Sequence, residues 1–320
     1  MLVQDLVYGQ FEVAEPVLAE LMLSKSVQRL RGIAQYGIPS PYYPVYGFSR
    51  YDHSVGVMLL LRMLGASVTE QAAGLLHDIS HTAFSHVTDE LFGAPDLAQD
   101  QRHRSFLLGS DVSKILYMHG LDPEEVADIE KHGLLEREPP RLCADRVDYS
   151  LREFAPRLNG NRERLLRSLT VFDGRLVFDN REMAEYFAFR YLNTHMHKVA
   201  SVEKTVRQHL FAQALRAALE ESVISVEDLF HDDEHVLRKL TSSRSPRIAA
   251  TLGLLSRKLK LEEDEDGQIK LPRRVRYVDP EFLEEGRPVR LSKVNKKYAE
   301  EVRRHRAILS RGVSVNILAP

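Results

Sequence analysis

The sequence predicts a mostly α-helical protein with short hairpins and a small α+β C-terminal appendage. Three observations carry that reading. Apolar residues recur at helical spacing through most of the first 220 positions, beginning with Val17, Leu18, Leu21 and Met22. Turn signals between short apolar runs are few, and the strongest is Asp173-Gly174 inside LTVFDGRLVFD. Strand-like segments gather only after an acidic run, EEDEDGQ at 262–268.

The elements follow in order. LVQDLVYGQFEV reads as a short hairpin or extended arm, and helices with apolar faces run from Pro16 to Ala34. YGIPSPYYPVYGFSRYD holds three prolines and two glycines, so it is a loop. Helical spacing returns from His53 to Leu64. Thr69 then serves as N-cap for EQAAGLLHDISH, and VTDELFG forms a short helix stopped by Gly93. Helical patterns cover 104–118, 123–134 and 142–154, and one long amphipathic helix covers about 181–220. The acidic run is a linker or loop tip. Beyond it RRVRYVDPEF, RPVRLS and SVNIL read as strands around the helix KKYAEEVRRHRAIL. A main domain with an N-terminal arm spans 1–225, and a helical, then α+β, appendage spans 226–320.

Composition narrows the function classes. The 320 residues carry 44 Lys+Arg against 46 Asp+Glu, a net charge of −2, which gives no global attraction to nucleic acid or anionic membrane. No apolar run approaches the ~20 residues of a membrane span, and the first residues lack a basic-then-apolar signal. The one cysteine, Cys143, permits no internal disulfide, so a reducing, cytoplasmic setting is expected. It reads as a small core residue. Phosphate-loop, nucleophile-elbow and HExxH patterns do not occur.

The 13 histidines are the unusual feature. Arg50-Tyr51-Asp52-His53 is followed by His77-Asp78-Ile79-Ser80-His81, by His86 and Asp89, and at a distance by His103 and Asp145. His77 and His81, four apart, share one face if helical. Burying so many ionisable groups unpaired costs several kcal/mol each, which a bound cation offsets. Imidazole with carboxylate suits Mn, Fe, Co, Ni, Zn or Mg. Open coordination positions then take water, whose pKa the ion lowers. His231-Asp232, with His235 beyond, repeats the spacing among acids and without an apolar lead-in. There Asp232 or Asp233 is expected as a helix N-cap.

His53, His77, Asp78 and Asp145 match the H…HD…D pattern of the HD-domain metal-dependent phosphohydrolase superfamily. VQRLRGIAQYG (27–37), RYDHSVGV (50–57), LLHDISHTAFSH (75–86) and DRVDY (145–149) resemble consecutive blocks of its deoxynucleoside triphosphate triphosphohydrolase branch. The resemblance covers about residues 1–220 and implies an HD-domain helical bundle. It implies that His53, His77, Asp78 and Asp145 hold a divalent metal, that Arg50 and Arg146 bind a triphosphate, and that Tyr149 sits against the sugar. His86 would donate a proton to the leaving 5′-oxygen, oriented by Asp89 and His103, with His81 on phosphate or nucleophile. In HMHK (195–198), His197 and Lys198 would contact phosphate, while His195 stands where the branch usually has tyrosine. The implied reaction releases deoxynucleoside and tripolyphosphate from a dNTP, and the implied partner is a second copy, a homodimer favoured over higher oligomers.

Departures accompany the match. Ser80 replaces a glycine, a small change unless that glycine has positive φ. Asp5-Leu6-Val7-Tyr8-Gly9 lacks the proline and histidine of the opening block, and Leu23 stands where activated relatives read guanine with aspartate. Another phosphoester, such as a nucleoside monophosphate or cyclic dinucleotide, is the alternative substrate. A nucleotide- or nucleic-acid-binding protein with little catalysis is the alternative class. The basic positions Arg273, Arg274, Arg276, Arg287, Arg290, Lys293, Lys296 and Lys297 are interspersed with acids and read as a solvated surface.

Overall fold

The computed structural model describes residues 1–44, 47–92, 97–155, 158 and 160–318. β1 (Leu2–Asp5) and β2 (Gly9–Glu12) form the expected antiparallel hairpin. Pro16 at the first turn opens α1 (Pro16–Leu23), and Ser24 caps α2 (Lys25–Arg29) through Val27 N. After the Tyr/Pro loop comes α3 (Arg50–Met63), closed at its start by a capping box between Ser49 and Asp52. Asp52 is therefore a cap.

α4 (Val68–Leu76) starts earlier than Thr69, because Ser67 accepts from Glu70 N. It also ends before HDISH. Ile79 N bonds Leu76 O and His81 N bonds Asp78 O, turns of three residues that tighten the chain out of the helix. His77 and His81 thus do not share a helical face. α5 (Asp89–Phe92) follows; Gly93, its expected stop, lies outside the described residues. The expected 104–118 helix is two, α6 (Leu97–Gly109) and α7 (Asp111–Met118), because Asp111 turns to bond Lys25 N and Ser26 Oγ. Helix in 123–134 is limited to α8 (Pro123–Ala127) and one 3-10 turn, since Asp128 leaves helical geometry at ψ 80°.

α9 (Ala144–Phe154) matches expectation, and α10 (Arg162–Ser168) is an added helix. β3 (Leu169–Phe172) and β4 (Arg175–Phe178) form the Asp173-Gly174 hairpin, both turn residues at positive φ. The long 181–220 helix is broken into α11 (Arg181–Thr194), a π-turn (His195–Val199) and α12 (Val202–Glu220), which Ser201 caps. α13 (Asp233–Ser242) is capped by Asp232, and α14 (Pro246–Leu255) by Ser245. β5 (Lys260–Glu263) and β6 (Ile269–Leu271) flank the acidic turn, which is a loop tip. RRVRY (273–277) forms no strand; β7 (Glu281–Glu284), β8 (Arg287–Arg290), α15 (Leu291–Val294), α16 (Lys296–Ser310) and β9 (Val313–Leu318) complete the chain.

The sheets are β1-β2, β3-β4-β7-β8 and β5-β9-β6. Two apolar cores result, and both draw on residues from either side of position 225. One surrounds α3 and includes Leu59, Leu75, Val147 and Phe187 with Phe282 and Tyr298. The other surrounds α12 and joins Tyr42 and Phe84 to Leu252 and Val315. At ~25 cal/mol per Å² of apolar surface, either core supplies tens of kcal/mol before chain entropy is subtracted. α3, α4 and α9 pack together in the first core, and their ends and turns converge on one site. Among the described residues no helix is long and apolar enough to cross a membrane.

Candidate metal centre

α3 presents His53, the turn after α4 presents His77 and Asp78, and the first turn of α9 presents Asp145. Ligand atoms of His53, His77 and Asp78 all lie within 4.8 Å of one another. Asp145 Oδ1 closes the group, 2.9 Å from His53 Nε2 and 3.6 Å from His77 Nε2.

Hydrogen bonding on the far side of each ring sets what these atoms offer. His53 Nδ1 donates to Asp148 at 2.6 Å, and His77 Nδ1 donates to Gly74 O at 2.7 Å. Both Nε2 atoms then carry lone pairs, yet they face each other at 3.3 Å beside two carboxylates. Four acceptors converge with no hydrogen of their own between them, so either a proton or a cation must sit there. The donor set fits a divalent ion.

Without one, the proton resides on His53. Burial pushes its pKa down, but hydrogen bonds to Asp145 and Asp148 outweigh that and carry it up to about 9. Burial likewise works against Asp78, yet Arg50, His77 and His81 hold its carboxyl well below the usual range. The sign of the pH dependence follows. In the metal-free protein the raised His53 pKa favours the fold fully below about 6.5, and that contribution is lost as pH rises through about 9. Metal displaces the same proton, so affinity should climb about tenfold per pH unit up to about 9 and then level off. Chelator competition at pH 6.5, 7.5 and 8.5 measures this; a flat response would contradict the assignment of His53 as ligand.

Behind the ligands lies a relay that sequence reasoning missed. Asp148, fully buried, also accepts from Arg152 Nε at 2.9 Å, and Arg152 Nη2 reaches Asp5 at 2.7 Å. The signal was present in DRVDY: Asp148 and Tyr149 fall three and four residues after Asp145, hence on its face of α9. Gly56 makes room for the relay, since a Cβ there would collide with the Asp148 and Arg152 side chains. Gly56→Ala should therefore weaken metal binding by ~10–100-fold, the usual effect of disturbing a ligand's supporting hydrogen bonds, as read by metal retained on dialysis.

The remaining predicted residues divide. Arg50, 1% exposed, pairs with Asp78 through Nη1 and donates from Nε to Ser85 Oγ, while its Nη2 is buried without a partner. His81 Nε2 lies 3.2 Å from Asp78, and its ring stands edge-on to that of His86 at 5.2 Å. His86 Nδ1 bonds Asp89 at 3.0 Å. His103 is buried with Nδ1 unpartnered. Burial and the Arg50 charge bring His81 down to about 4, and burial with the His77 charge brings His103 to about 4. Burial, then Arg50, also depresses His86. Tyr149 stands 6.3 Å from the His53 ring and bonds the Tyr191 hydroxyl at 2.9 Å. Lys198 pairs with Glu153, which also accepts from the Tyr36 hydroxyl.

Two residues are not brought to the centre. Arg146 follows Asp145 by one position, about 100° around the helix. Its guanidinium bonds Arg141 O, Arg137 O, Cys143 Sγ and Glu136 instead. Two of these partners, Glu136 and Cys143, form with Asp145 a second grouping of possible ligands. His197 lines a groove between α11 and α16, because the π-turn separates it from Lys198. Cys143 is buried, as expected of a core residue. Ser80 has no positive φ, so the glycine it replaces is not required for backbone geometry. The second His-Asp pair is structural. His235 bonds Asp228, while Asp233 accepts from Phe84 N and Ala34 N and ties α13 to the loops beside Arg50.

Comparison with known proteins agrees with this geometry. The HD domain family matches residues 50–167. An uncharacterized Bacillus subtilis protein, YdhJ, is 35% identical over 99% of both chains. The metal-dependent phosphohydrolase cns2 of Cordyceps militaris is 37% identical over 61% of this chain and 59% of its own. The deoxynucleoside triphosphate triphosphohydrolase SAMHD1 homolog of Dictyostelium discoideum is 22% identical over 77% of this chain and 56% of its own. A phosphohydrolase of Bacteroides thetaiotaomicron shares the fold with a TM-score of 0.70 at 17% identity, covering 92% of this chain and 94% of that one. The chain belongs to the HD-domain metal-dependent phosphohydrolase superfamily and is distantly similar to its dNTPase members.

Proposed function

We propose that the protein hydrolyses nucleotides at phosphorus, with dNTPs as substrates and deoxynucleoside plus tripolyphosphate as products. The observation that carries the reading is Arg50, whose Nη1 and Nε brace the ligand Asp78 and the turn at Ser85 while Nη2 stays buried and unpartnered. A guanidinium held this way keeps one donor for a phosphate oxygen beside the ligands. His53, His77, Asp78 and Asp145 would hold a divalent ion, which would supply positive charge at the phosphoryl group and lower the pKa of water.

The chain's own residues do the rest. Water attacks the α-phosphorus, the bond to the 5′-oxygen breaks, and His86 delivers a proton to that oxygen. Burial and neighbouring cations hold His86 neutral in the free protein. An anionic phosphate chain offsets those cations and raises its affinity for the proton it must give. Asp89 fixes the His86 ring, and His81 and His103 serve as neutral partners on the phosphate side. Tyr149 and Tyr191 supply a wall for a deoxyribose, and Lys198 adds charge. Arg146 steadies the 136–143 loop, and His197 lies outside the centre.

A nucleoside monophosphate is the second reading. Incubating metal-loaded protein with each dNTP and each nucleoside monophosphate, and separating the products, discriminates the two. Intact tripolyphosphate supports the first; orthophosphate from monophosphates alone supports the second.

A further inference from the structure

The stretch from Pro272 to Val278 holds three of the arginines that sequence reading assigns to a solvated surface, and the structure lays it across the metal centre's flank. It forms neither helix nor strand. Arg273 Nε donates to Ala200 O at 2.8 Å, His305 Nε2 donates to Arg276 O at 3.0 Å, and the Tyr298 hydroxyl donates to Val278 O. Arg274 Nη2 lies 3.4 Å from Asp89, the carboxylate that orients His86. Arg276 lines the small cavity together with Tyr149, Tyr191 and His195. A segment more than 120 positions beyond the last metal ligand, Asp145, thus delivers one guanidinium to the His86–Asp89 pair and another to the tyrosine wall.

Charge accounting suggests why. Of the acids nearby, Asp89 is engaged by His86 and Arg274, Glu153 by Lys198 and Tyr36, and Glu90 by His209. Lys204, in the first turn of α12, sits among the same cations. Burial, then Arg274 and Arg276, brings its pKa down to about 8. Arg274, Arg276 and Lys204 bring positive charge to one flank of the site, which attracts a polyanion.

We propose that Arg274 and Arg276 are substrate-binding residues that take the non-reacting phosphates of the nucleotide, an inference that rests on the nucleotide-hydrolase reading. The strap makes the C-terminal segment part of the active site. Guanidinium forks bind phosphate oxygens in pairs, and two of them on one short segment beside the metal centre suit one phosphate chain.

The test is calorimetric titration of inorganic tripolyphosphate into metal-loaded protein. Compared are the wild type, Arg274→Ala, Arg276→Ala, the double variant, Arg276→Lys, and Arg303→Ala on the exposed face of α16 as control. Each alanine change should weaken binding ~10-fold or more, lysine should restore part of it, and Arg303→Ala should change nothing. Arg276→Lys keeps the charge should an alanine variant fail to fold. Unchanged tripolyphosphate affinity in the single and double variants overturns the proposal, as does wild type that binds none. A merely bracing role for Arg274 would show as lower kcat on a dNTP, with p-nitrophenyl phosphate turnover and tripolyphosphate affinity intact, which also overturns it. If the arginines bind tripolyphosphate while no nucleotide is turned over, the strap stands and the nucleotide-hydrolase reading falls.

Discussion

His77→Ala and Asp78→Ala are each expected to yield protein without bound metal, with hydrolytic activity reduced by more than ~1000-fold. Each removes one of four acceptors around a shared centre, and none of the others can move into the gap because each is pinned from behind. His53 is held by Asp148, His77 by Gly74 O, Asp78 by Arg50, and Asp145 by the start of α9. The two variants should differ in stability. Losing the Asp78 carboxylate strands the buried Arg50 guanidinium, an uncompensated charge that destabilises by about 3–5 kcal/mol. Losing the His77 ring leaves the Arg50–Asp78 pair intact. Metal analysis with thermal melts separates the effects. His231→Ala, from the pair of matching spacing, should leave both metal and activity unchanged; metal loss there would reverse the assignment of the two pairs.

His86→Ala is the complementary case. The ring bonds Asp89 and faces His81 edge-on, and no ligand atom belongs to it. Metal content should stay at the wild-type level while turnover falls by ~100–10,000-fold, the usual range for a lost proton donor. A substrate whose leaving group needs no proton, such as p-nitrophenyl phosphate, should lose far less. Equal losses on both substrates would remove His86 from the donor role and leave it a positioning residue.

What the sequence disclosed depended on how local each signal is. The hairpins, α3, α9 and the closing helix α16 follow from short-range periodicity and turn chemistry, and they stand where expected. The clustering of the four candidate ligands was legible because residues of distinctive chemistry recur in an apolar setting. The end of α4 was not, since HDISH keeps helical spacing while its side chains are drawn to partners on α3 and α9. The Asp148–Arg152–Asp5 relay joins the first hairpin to α9, a contact that no local pattern encodes. Arg146 shows the converse. The family resemblance implies a phosphate-binding role, while a single step along the helix from Asp145 turns its guanidinium to the 136–143 loop. The arginines at 273–276 looked like surface charge for the same reason: their neighbours, Asp89, Tyr149 and Ala200, are remote in sequence.

The most direct measurement of the central claim is hydrolysis of a dNTP by metal-loaded protein in 18O-water, with mass analysis of both products. Water attack at the α-phosphorus inside this site places one 18O in tripolyphosphate and none in the deoxynucleoside. Label appearing in orthophosphate, or in the 5′-hydroxyl of the deoxynucleoside, would contradict the account.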